Sequence, residues 1–229
     1  MYALSEQVSK ILSFVVKIPL FAGLEESSLL TMARGSHLGK VERGQIIFFQ
    51  DDPSPNAYLV RSGKISILLE SADGRQLVIN EMHAGDLFGE VGVLTEHPRS
   101  SSAFARTDSE LLVIPGDVFM KVLNAEQILV RRMLEMAVDR LRQSSERESA
   151  LAFLDAQGRL ARLLLLLSSQ ELEKGYITIS QEELAQRTGQ TRQTVAKTLG
   201  RWRRAGWLIT GRGRIMLLKN NELAFLEKK

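Results

Sequence analysis

Residues 39–115 restrict the fold most, because short runs of β-branched and aromatic residues alternate there with turn residues. The runs cover residues 46–49, 57–60, 65–69, 77–79 and 111–114. Asp73-Gly74 between two such runs is a strong hairpin signal. Short strands at a spacing of about 8 to 12 residues are typical of an antiparallel sandwich or jelly roll. Such a barrel offers a mouth for a small ligand.

Helical patterns flank this β-rich region. Val8, Ile11, Leu12 and Val15 share one face of a first helix, and a second helix is predicted over residues 25–33. After Pro115 a short helix is expected over residues 117–123. Asn124 with Gln127 three residues later predicts a capping box for a long helix. The chain is therefore expected to be an α+β protein.

The long helix carries an apolar seam at alternating steps of four and three residues. We expect this seam to be a dimer interface, formed by Val130, Leu134, Ala137, Leu141, Ser144, Glu148 and Leu151. A single helix packed on its own barrel remains the alternative. The hydroxyls of Ser144 and Ser145 interrupt the stripe, and a ligand lying against the helix would explain them.

One short stretch has the chemistry of a nucleotide site. Three glycines, at 85, 89 and 92, fall within eight residues, and Glu90 lies between two of them. Such a turn leaves backbone N–H groups free and forms a concave site for an anion. Arg99 and Ser100 suit a phosphate. Glu90 would repel a phosphate but accepts hydrogen bonds from sugar hydroxyls.

Charge is distributed unevenly along the chain. Residues 156–219 contain twelve Lys and Arg against four acids, a net charge of +8, so the remainder carries −5 of the overall +3. Residues 155–158 are predicted to be the joint between two domains. A very apolar helix over residues 159–172 follows and would form the core of a small helical domain. An acidic N-terminal part and a basic C-terminal part favour two domains, and the basic domain suits binding to nucleic acid.

The basic part contains helix-turn-helix spacing. Ser180 caps a helix, Ala185 sits where two helices cross, Gly189 occupies the turn and Val195 is buried on the second helix. Thr191 caps that second helix. Arginine reads guanine and glutamine reads adenine in the major groove. The predicted DNA-binding residues are Thr191, Arg192, Gln193, Thr194, Lys197, Arg201, Arg212 and Arg214.

Two of these arginines belong to a predicted wing. Residues 207–209 and 215–218 form a hairpin with Arg212 and Arg214 at its tip, and Arg201, Arg203 and Arg204 suit phosphates. A helical hairpin with a solvated basic face is the alternative reading of this region.

Several function classes are disfavoured by composition. The chain has no cysteine, which excludes disulfides, thiol nucleophiles and cysteine-held metal clusters. Its three histidines lack the helical spacing of metal ligands. No apolar run approaches the length of a membrane helix, and no signal-peptide pattern is present, so a cytoplasmic protein is expected.

Barrel, long helix and winged helix-turn-helix, in that order, resemble the cyclic AMP receptor protein/FNR family of bacterial transcription regulators. The resemblance implies an effector domain at 1–124, a dimerisation helix and hinge at 125–155, and a DNA-binding domain at 156–229. It implies a homodimer whose partners are palindromic double-stranded DNA and RNA polymerase.

The same resemblance implies ligand contacts. Gly89, Glu90 and Val91 belong to the cassette that meets the ribose of a cyclic nucleotide, and Arg99 and Ser100 would meet its cyclic phosphate. Ser144 and Ser145 fall where cyclic AMP receptors place adenine-contacting hydroxyls. The joint presence of these groups favours cyclic AMP as the effector.

Departures from the family pattern leave alternatives open. The loop from Glu90 to Arg99 is one residue shorter than in the best-known cyclic AMP receptor, and Gln193 stands where glutamate is common. A regulator of the same fold that binds DNA constitutively or with another effector is one alternative. An enzyme using Glu90 with His97 is the other, although no second catalytic carboxylate supports it.

Overall fold

The computed structural model describes residues 5–170 and 175–227, which divide into two compact units. The first runs to Leu69 and then covers Ile79–Leu141; the second covers Glu70–Val78 and the chain from Arg142 onward. The long helix α5 (Gln127–Phe153) begins in the first unit and ends in the second. Within the described ranges, no helix is long and apolar enough to cross a membrane.

Two four-stranded sheets form a β-sandwich, most of which lies in the first unit. In spatial order, one contains His37–Val41 (β1), Ser109–Pro115 (β8), Asn56–Ser62 (β3) and Leu87–Phe88 (β6). The other contains Ile46–Phe48 (β2), Ser102–Ala105 (β7), Ile65–Glu70 (β4) and Gln76–Met82 (β5). Phe48, Ile65 and Leu111 share one buried core, so the sheets pack face to face.

All five predicted runs are strands, and the sequence did not reveal the other three strands of the sandwich. Gly74 takes a positive φ of 77° and its N–H bonds to Ser71 O, as the predicted hairpin requires. The strands that were missed are β1, β6 and β7. Strand β6 has only two residues, and β7 reads Ser-Ala-Phe-Ala, which lacks the β-branched residues that mark strands.

Helices cover the outer face of the first sheet. They are α1 (Glu6–Val15), α2 (Glu26–Gly35), α4 (Gly116–Ala125) and the start of α5, with a 3₁₀ turn at Pro19–Phe21. Leu59 and Leu112 point outward from β3 and β8 into a second core that includes Phe21, Phe119 and Leu129. Because this sheet is buried on both faces, the middle parts of its central strands, residues 57–60 and 111–114, are continuously apolar.

The predicted capping box before the long helix is wrong. Asn124 lies in the last turn of α4, and α5 begins at Gln127. Glu126, between the two helices, is buried, and its side chain accepts a hydrogen bond of 3.0 Å from the N–H of Glu25. Arg132, one turn into α5, donates to the carbonyls of Leu20 and Ala22. Long-range bonds to the N-terminal segment therefore fix this junction.

Removing the Glu126 carboxylate is expected to destabilise the first unit. Glu126→Ala leaves the N–H of Glu25 without its partner, which costs about 1–3 kcal/mol of unfolding free energy. Glu126→Gln retains a side-chain oxygen and should lose less than half of that. Urea unfolding of the three proteins measures the difference, and equal stability of the alanine variant and the parent would contradict the assigned role.

The second unit contains a small helical core beside a three-stranded sheet. Its elements are α6 (Ala156–Gln170), β9 (Ile177–Thr178), α7 (Gln181–Thr188), α8 (Arg192–Arg204), β10 (Leu208–Gly211), β11 (Arg214–Leu217) and α9 (Asn220–Glu227). The core includes Leu164, Leu184, Val195 and Trp202. The apolar helix begins three residues before its predicted start, and its predicted last two residues lie outside the described ranges.

Two residues separate α5 from α6, at the position of the predicted joint. Gly158, which was predicted to belong to this joint, is buried in the first turn of α6. A Cβ at this position would lie 2.8 Å from the carbonyl oxygen of Leu226. The domain boundaries after residues 124 and 155 stay predictions.

Candidate functional site

The predicted glycine-rich turn is a glycine followed by a short helix. Gly89 has a positive φ of 72° and leads from β6 directly into α3 (Glu90–Thr95). A Cβ at Gly89 would lie 2.7 Å from Nη1 of Arg99 and 3.1 Å from Cδ2 of Tyr58. The predicted turn is therefore the end of a strand, one left-handed glycine and the start of a helix. The left-handed glycine allows the abrupt change, and its missing side chain gives room to Arg99.

Glu90 is a buried carboxylate with one free oxygen. The residue is only 3% exposed, and its Oε1 accepts a hydrogen bond from Nη1 of Arg140 on α5. Nη2 of Arg140 donates to the carbonyl of Leu87 at 2.5 Å. The other oxygen, Oε2, is buried without a hydrogen-bond partner among the described residues. Glu90 thus retains an unused acceptor.

Arg140 is a site residue that the sequence analysis missed. An arginine among the charged positions of a long helix is ordinarily solvent-exposed, so it gave no signal of its own. The available signal was its position four residues before Ser144, which places the two on one helical face.

Arg99 is equally buried, with 3% of its surface exposed. Its guanidinium donates to the carbonyls of Gly89, at 2.5 Å, and Asn56, at 2.8 Å. Burial lowers the pKa of Arg99, an effect that Tyr58 and the nearby carboxylates oppose. Another donor of the guanidinium, Nε, is buried and has no hydrogen-bond partner in the described chain.

Two buried groups of opposite charge thus each keep an unpartnered polar atom. An unsatisfied buried donor or acceptor costs about 1–3 kcal/mol, so such atoms need an explanation. A ligand with both a hydroxyl and an anionic oxygen would satisfy Glu90 and Arg99 together.

The other predicted cassette residues lie at the surface. Val91 is exposed on the first turn of α3, and Ser100 is exposed directly after Arg99. Their roles against a ligand stay predictions.

Ser144 and Ser145 lie on α5 within the second unit. Ser144 is half-buried and its hydroxyl donates to Oε1 of Glu148 at 3.3 Å, whereas Ser145 is exposed. Ser144 follows Arg140 by one helical turn. The predicted contact of these hydroxyls with a ligand stays a prediction.

Two faces of α5 differ in burial. Leu129 and Met133 pack into the core of the first unit. Most of the predicted dimer seam is exposed: Val130, Leu134, Ala137, Leu141, Glu148 and Leu151. Leu134 and Leu141 are 65% and 67% exposed, unusually high for leucine. The helix therefore packs on its own domain with one face and leaves an apolar face uncovered.

The helix-turn-helix has the predicted local geometry. The hydroxyl of Ser180 accepts from the N–H of Glu183, and that of Thr191 accepts from the N–H of Thr194. Gly189, between α7 and α8, takes the left-handed conformation with φ 64°. Val195 is fully buried. The second helix is therefore held with a defined face outward.

That face carries the predicted base-reading residues. Arg192, Gln193 and Lys197 are exposed on α8, Thr191 is exposed before it, and Thr194 is half-buried. Arg201, on a later turn of α8, is also exposed. These positions form a polar and basic surface on the helix that would enter a major groove.

A wing follows this helix, as predicted. Strands β10 and β11 pair antiparallel, with Gly211 opposite Arg214, and Gly213 has a positive φ of 67°. Arg212 and Arg214 are exposed at the tip, and the Arg214 guanidinium lies 4.6 Å from the ring centroid of Tyr176. Arg192, Arg212 and Arg214 line one groove of about 350 Å³ with the N-terminus of α7. The wing excludes the helical-hairpin alternative.

The arginine at the start of α8 is expected to contribute to the sequence specificity of DNA binding, and the arginine on the wing to its overall affinity. Arg192→Ala should cost about 1–3 kcal/mol at one base pair of a selected DNA site and relax sequence preference there. Arg212→Ala should weaken binding to all sequences similarly and lower the slope of log K against log salt by about one. Fluorescence anisotropy with site variants at several salt concentrations measures both. Identical profiles for the two variants would contradict the assignment.

Comparison with known proteins agrees with both halves of this description. The family model for the cyclic nucleotide-binding domain matches residues 38–126, and that for the Crp-like helix-turn-helix domain matches residues 158–226. The cyclic AMP receptor protein of Thermus thermophilus is 30% identical over 210 residues, which cover 92% of this chain and 95% of that protein. The chain belongs to the CRP/FNR family.

Further CRP/FNR relatives include the CRP-like cAMP-activated global transcriptional regulator of Mycobacterium tuberculosis. It is 29% identical over 209 residues, covering 89% of this chain and 93% of that protein. The solved structure of the c-di-GMP responsive global regulator CLP of Xanthomonas campestris has a TM-score of 0.75 and 26% identity. It covers 84% of this chain and 99% of that one.

These relatives establish the functional class of this CRP/FNR protein. It is a transcription regulator with a cyclic nucleotide-binding domain and a DNA-binding helix-turn-helix domain. Its relatives are transcription regulators, so the enzyme alternative using Glu90 and His97 is set aside.

Proposed function

We propose that this protein is a homodimeric, sequence-specific DNA-binding regulator that is controlled by cyclic AMP. The observation that carries the proposal is the pair of unpartnered buried atoms, Oε2 of Glu90 and Nε of Arg99. A cyclic nucleotide offers a ribose hydroxyl to the carboxylate and an anionic phosphate to the guanidinium.

The charges of the site favour a ligand with one negative charge. The Arg140 guanidinium is paired with Glu90, whereas the acceptors of Arg99 are two uncharged carbonyl groups. Binding one anionic phosphodiester would therefore compensate the buried charge of Arg99. A cyclic dinucleotide carries two phosphates and would need a second such cation. The single positive charge of Arg99 therefore favours cyclic AMP over c-di-GMP.

Relatives support a cyclic nucleotide but differ in its identity. The Mycobacterium tuberculosis and Thermus thermophilus proteins are described as cAMP-activated and as a cyclic AMP receptor. The Xanthomonas campestris regulator is described as c-di-GMP responsive. Ser144 and Ser145 favour cyclic AMP, since hydroxyls on α5 suit hydrogen bonds to the adenine ring.

The uncovered face of α5 supports dimerisation. A second copy of the same helix would bury Leu134 and Leu141, and each fully buried leucine contributes about 1.5–3 kcal/mol. A twofold dimer would present two α8 helices about 34 Å apart, which matches successive major grooves of a palindrome. Contact with RNA polymerase belongs to the same proposal.

Coupling follows if ligand binding stabilises one arrangement of the dimer over another. Arg140 connects Glu90 to α5, and α5 leads to the short joint before α6. A nucleotide shifts the equilibrium only by its different affinity for the two states. We propose that the ligand-bound state is the one that binds DNA more tightly.

Isothermal titration calorimetry with cyclic AMP, cyclic GMP and c-di-GMP tests the effector assignment. We expect saturable binding of one cyclic AMP per protomer, with weaker or no binding of c-di-GMP. No binding of cyclic AMP at millimolar concentration would refute it. Tighter binding of c-di-GMP would assign the different effector that the alternative reading allows.

A further inference from the structure

The guanidinium of Arg99 lies on an aromatic surface. Its Cζ is 4.1 Å from the centroid of the Phe48 ring and 5.5 Å from that of Tyr58. The Phe48 ring is itself packed against Tyr58 and Phe88, at centroid distances of 5.7 and 6.1 Å. Phe48 is 8% exposed. The ring beneath the cation is therefore fixed by its neighbours.

Two carbonyl groups fix the guanidinium within its plane. Nη1 donates to the carbonyl of Gly89 and Nη2 to that of Asn56, at the start of β3. Gly89 contributes space as well as a carbonyl, since a Cβ there would lie 2.7 Å from Nη1 and 3.4 Å from Cε1 of Phe48. Ring and carbonyls together leave the cation little freedom to turn.

These contacts orient the cation without neutralising it. A ring face and carbonyl oxygens supply only partial negative charge, so neither group forms an ion pair with Arg99 that an incoming anion would have to displace. Nε remains buried and unpartnered in the described chain. A carboxylate in the place of Phe48 would instead compete with that anion.

We propose that Phe48 is a positioning residue for the phosphate of the ligand. By stacking on the guanidinium, it holds Arg99 in one orientation before the ligand arrives, so that one phosphate oxygen is preferred over the other. The inference rests on the proposed function, since it takes the anion to be a cyclic phosphodiester. Preorganisation of this kind raises affinity by reducing the ordering required on binding.

A purely structural role for Phe48 predicts a different result. Phe48 also belongs to the core between the sheets, with Ile65 and Leu111. Loosening that core would weaken every ligand equally. A change in the preference between two otherwise identical ligands would not follow from it.

The test compares Phe48→Leu with Phe49→Leu, a control at a neighbouring position that is 54% exposed. The ligands are cyclic AMP and its two phosphorothioate diastereomers, in which sulfur replaces one or the other exocyclic phosphate oxygen. The parent should prefer one diastereomer by about tenfold or more, as expected for a charge-assisted hydrogen bond.

Phe48→Leu should weaken cyclic AMP binding by about 2- to 30-fold, the range of a cation–π contact. It should also reduce the diastereomer preference to within about threefold, while Phe49→Leu leaves both quantities unchanged. Equal weakening of all three ligands, with the preference retained, would overturn the inference. Failure of the parent to bind any of the three would instead refute the proposed function.

A second measurement needs no ligand and holds even if the leucine variant is less stable. In ¹⁵N-edited NMR of the unliganded protein, the Hε resonance of Arg99 should show a ring-current shift that Phe48→Leu removes. Arg99→Lys assigns the resonance by deleting it, and the exposed Arg43 is the reference. An unchanged Arg99 resonance in Phe48→Leu would contradict the stacking.

Discussion

Arg99→Gln is expected to weaken cyclic AMP binding by about 100-fold or more. The substitution removes the buried charge that we propose binds the phosphate, and each hydrogen bond to a charged group contributes about 1.5–3 kcal/mol. Glutamine keeps a planar amide with an NH₂ donor but no charge, so the carbonyls of Gly89 and Asn56 retain one donor group nearby. Calorimetry measures the affinity and thermal unfolding measures the stability.

Arg99→Lys separates charge from geometry in the same experiment. Lysine retains the charge but loses the planar fork that reaches both carbonyls, so an intermediate loss of about 10- to 100-fold is expected. Arg43→Gln, at an exposed position, is the control and should bind as the parent does. Parent-like affinity in Arg99→Gln would show that the phosphate binds elsewhere.

Leu134→Glu combined with Leu141→Glu is expected to convert the protein into a monomer. Both side chains are about two-thirds exposed in the single chain, so glutamate should be tolerated there. In the proposed dimer the change would bring four carboxylates into an apolar seam, where burying an unpaired charge is prohibitive. Sedimentation equilibrium should show the loss of dimer.

Loss of the dimer should also remove specific DNA binding. A monomer contacts only one half-site, so affinity for a palindromic site should fall by about 10³-fold or more, towards the non-specific level. Ile128→Glu introduces the same change on α5 away from the seam and should leave both properties intact. A double variant that remains dimeric would place the interface on another surface.

Local sequence patterns predicted the DNA-binding half closely. The capping residues Ser180 and Thr191, the turn glycine Gly189 and the buried Val195 act over a few residues each. Helix-turn-helix geometry depends mainly on such short-range requirements. The order of helices, turn and wing therefore followed from the sequence alone.

The ligand site was only partly predictable because it is assembled from distant segments. Glu90 and Arg99 were identified by their chemistry and their spacing near glycines. Arg140 was missed because it is 50 residues from Glu90, and only the packing of α5 brings the two together. Phe48 lies within the predicted run 46–49, but nothing in the sequence relates it to Arg99.

The sequence patterns did not predict the short elements, for a different reason. Helix α3 has six residues that include Gly92 and two valines, a poor helix-forming composition. It is bounded by two residues in the left-handed conformation, Gly89 before it and Glu96 after it. The junction at Glu126 is similar, since a bond to Glu25, 101 residues away, overrides the local capping pattern of Asn124.

Control of DNA binding by cyclic AMP is tested by measuring DNA affinity with and without the nucleotide. The protein first selects palindromic sites from random DNA, in one selection with cyclic AMP and in another without it. Binding to the selected sites is then titrated by fluorescence anisotropy at a fixed salt concentration. We expect saturating cyclic AMP to raise the affinity by about 10-fold or more, within the usual range of allosteric coupling. Equal affinity in both conditions would contradict control by cyclic AMP and support a constitutive regulator of the same fold.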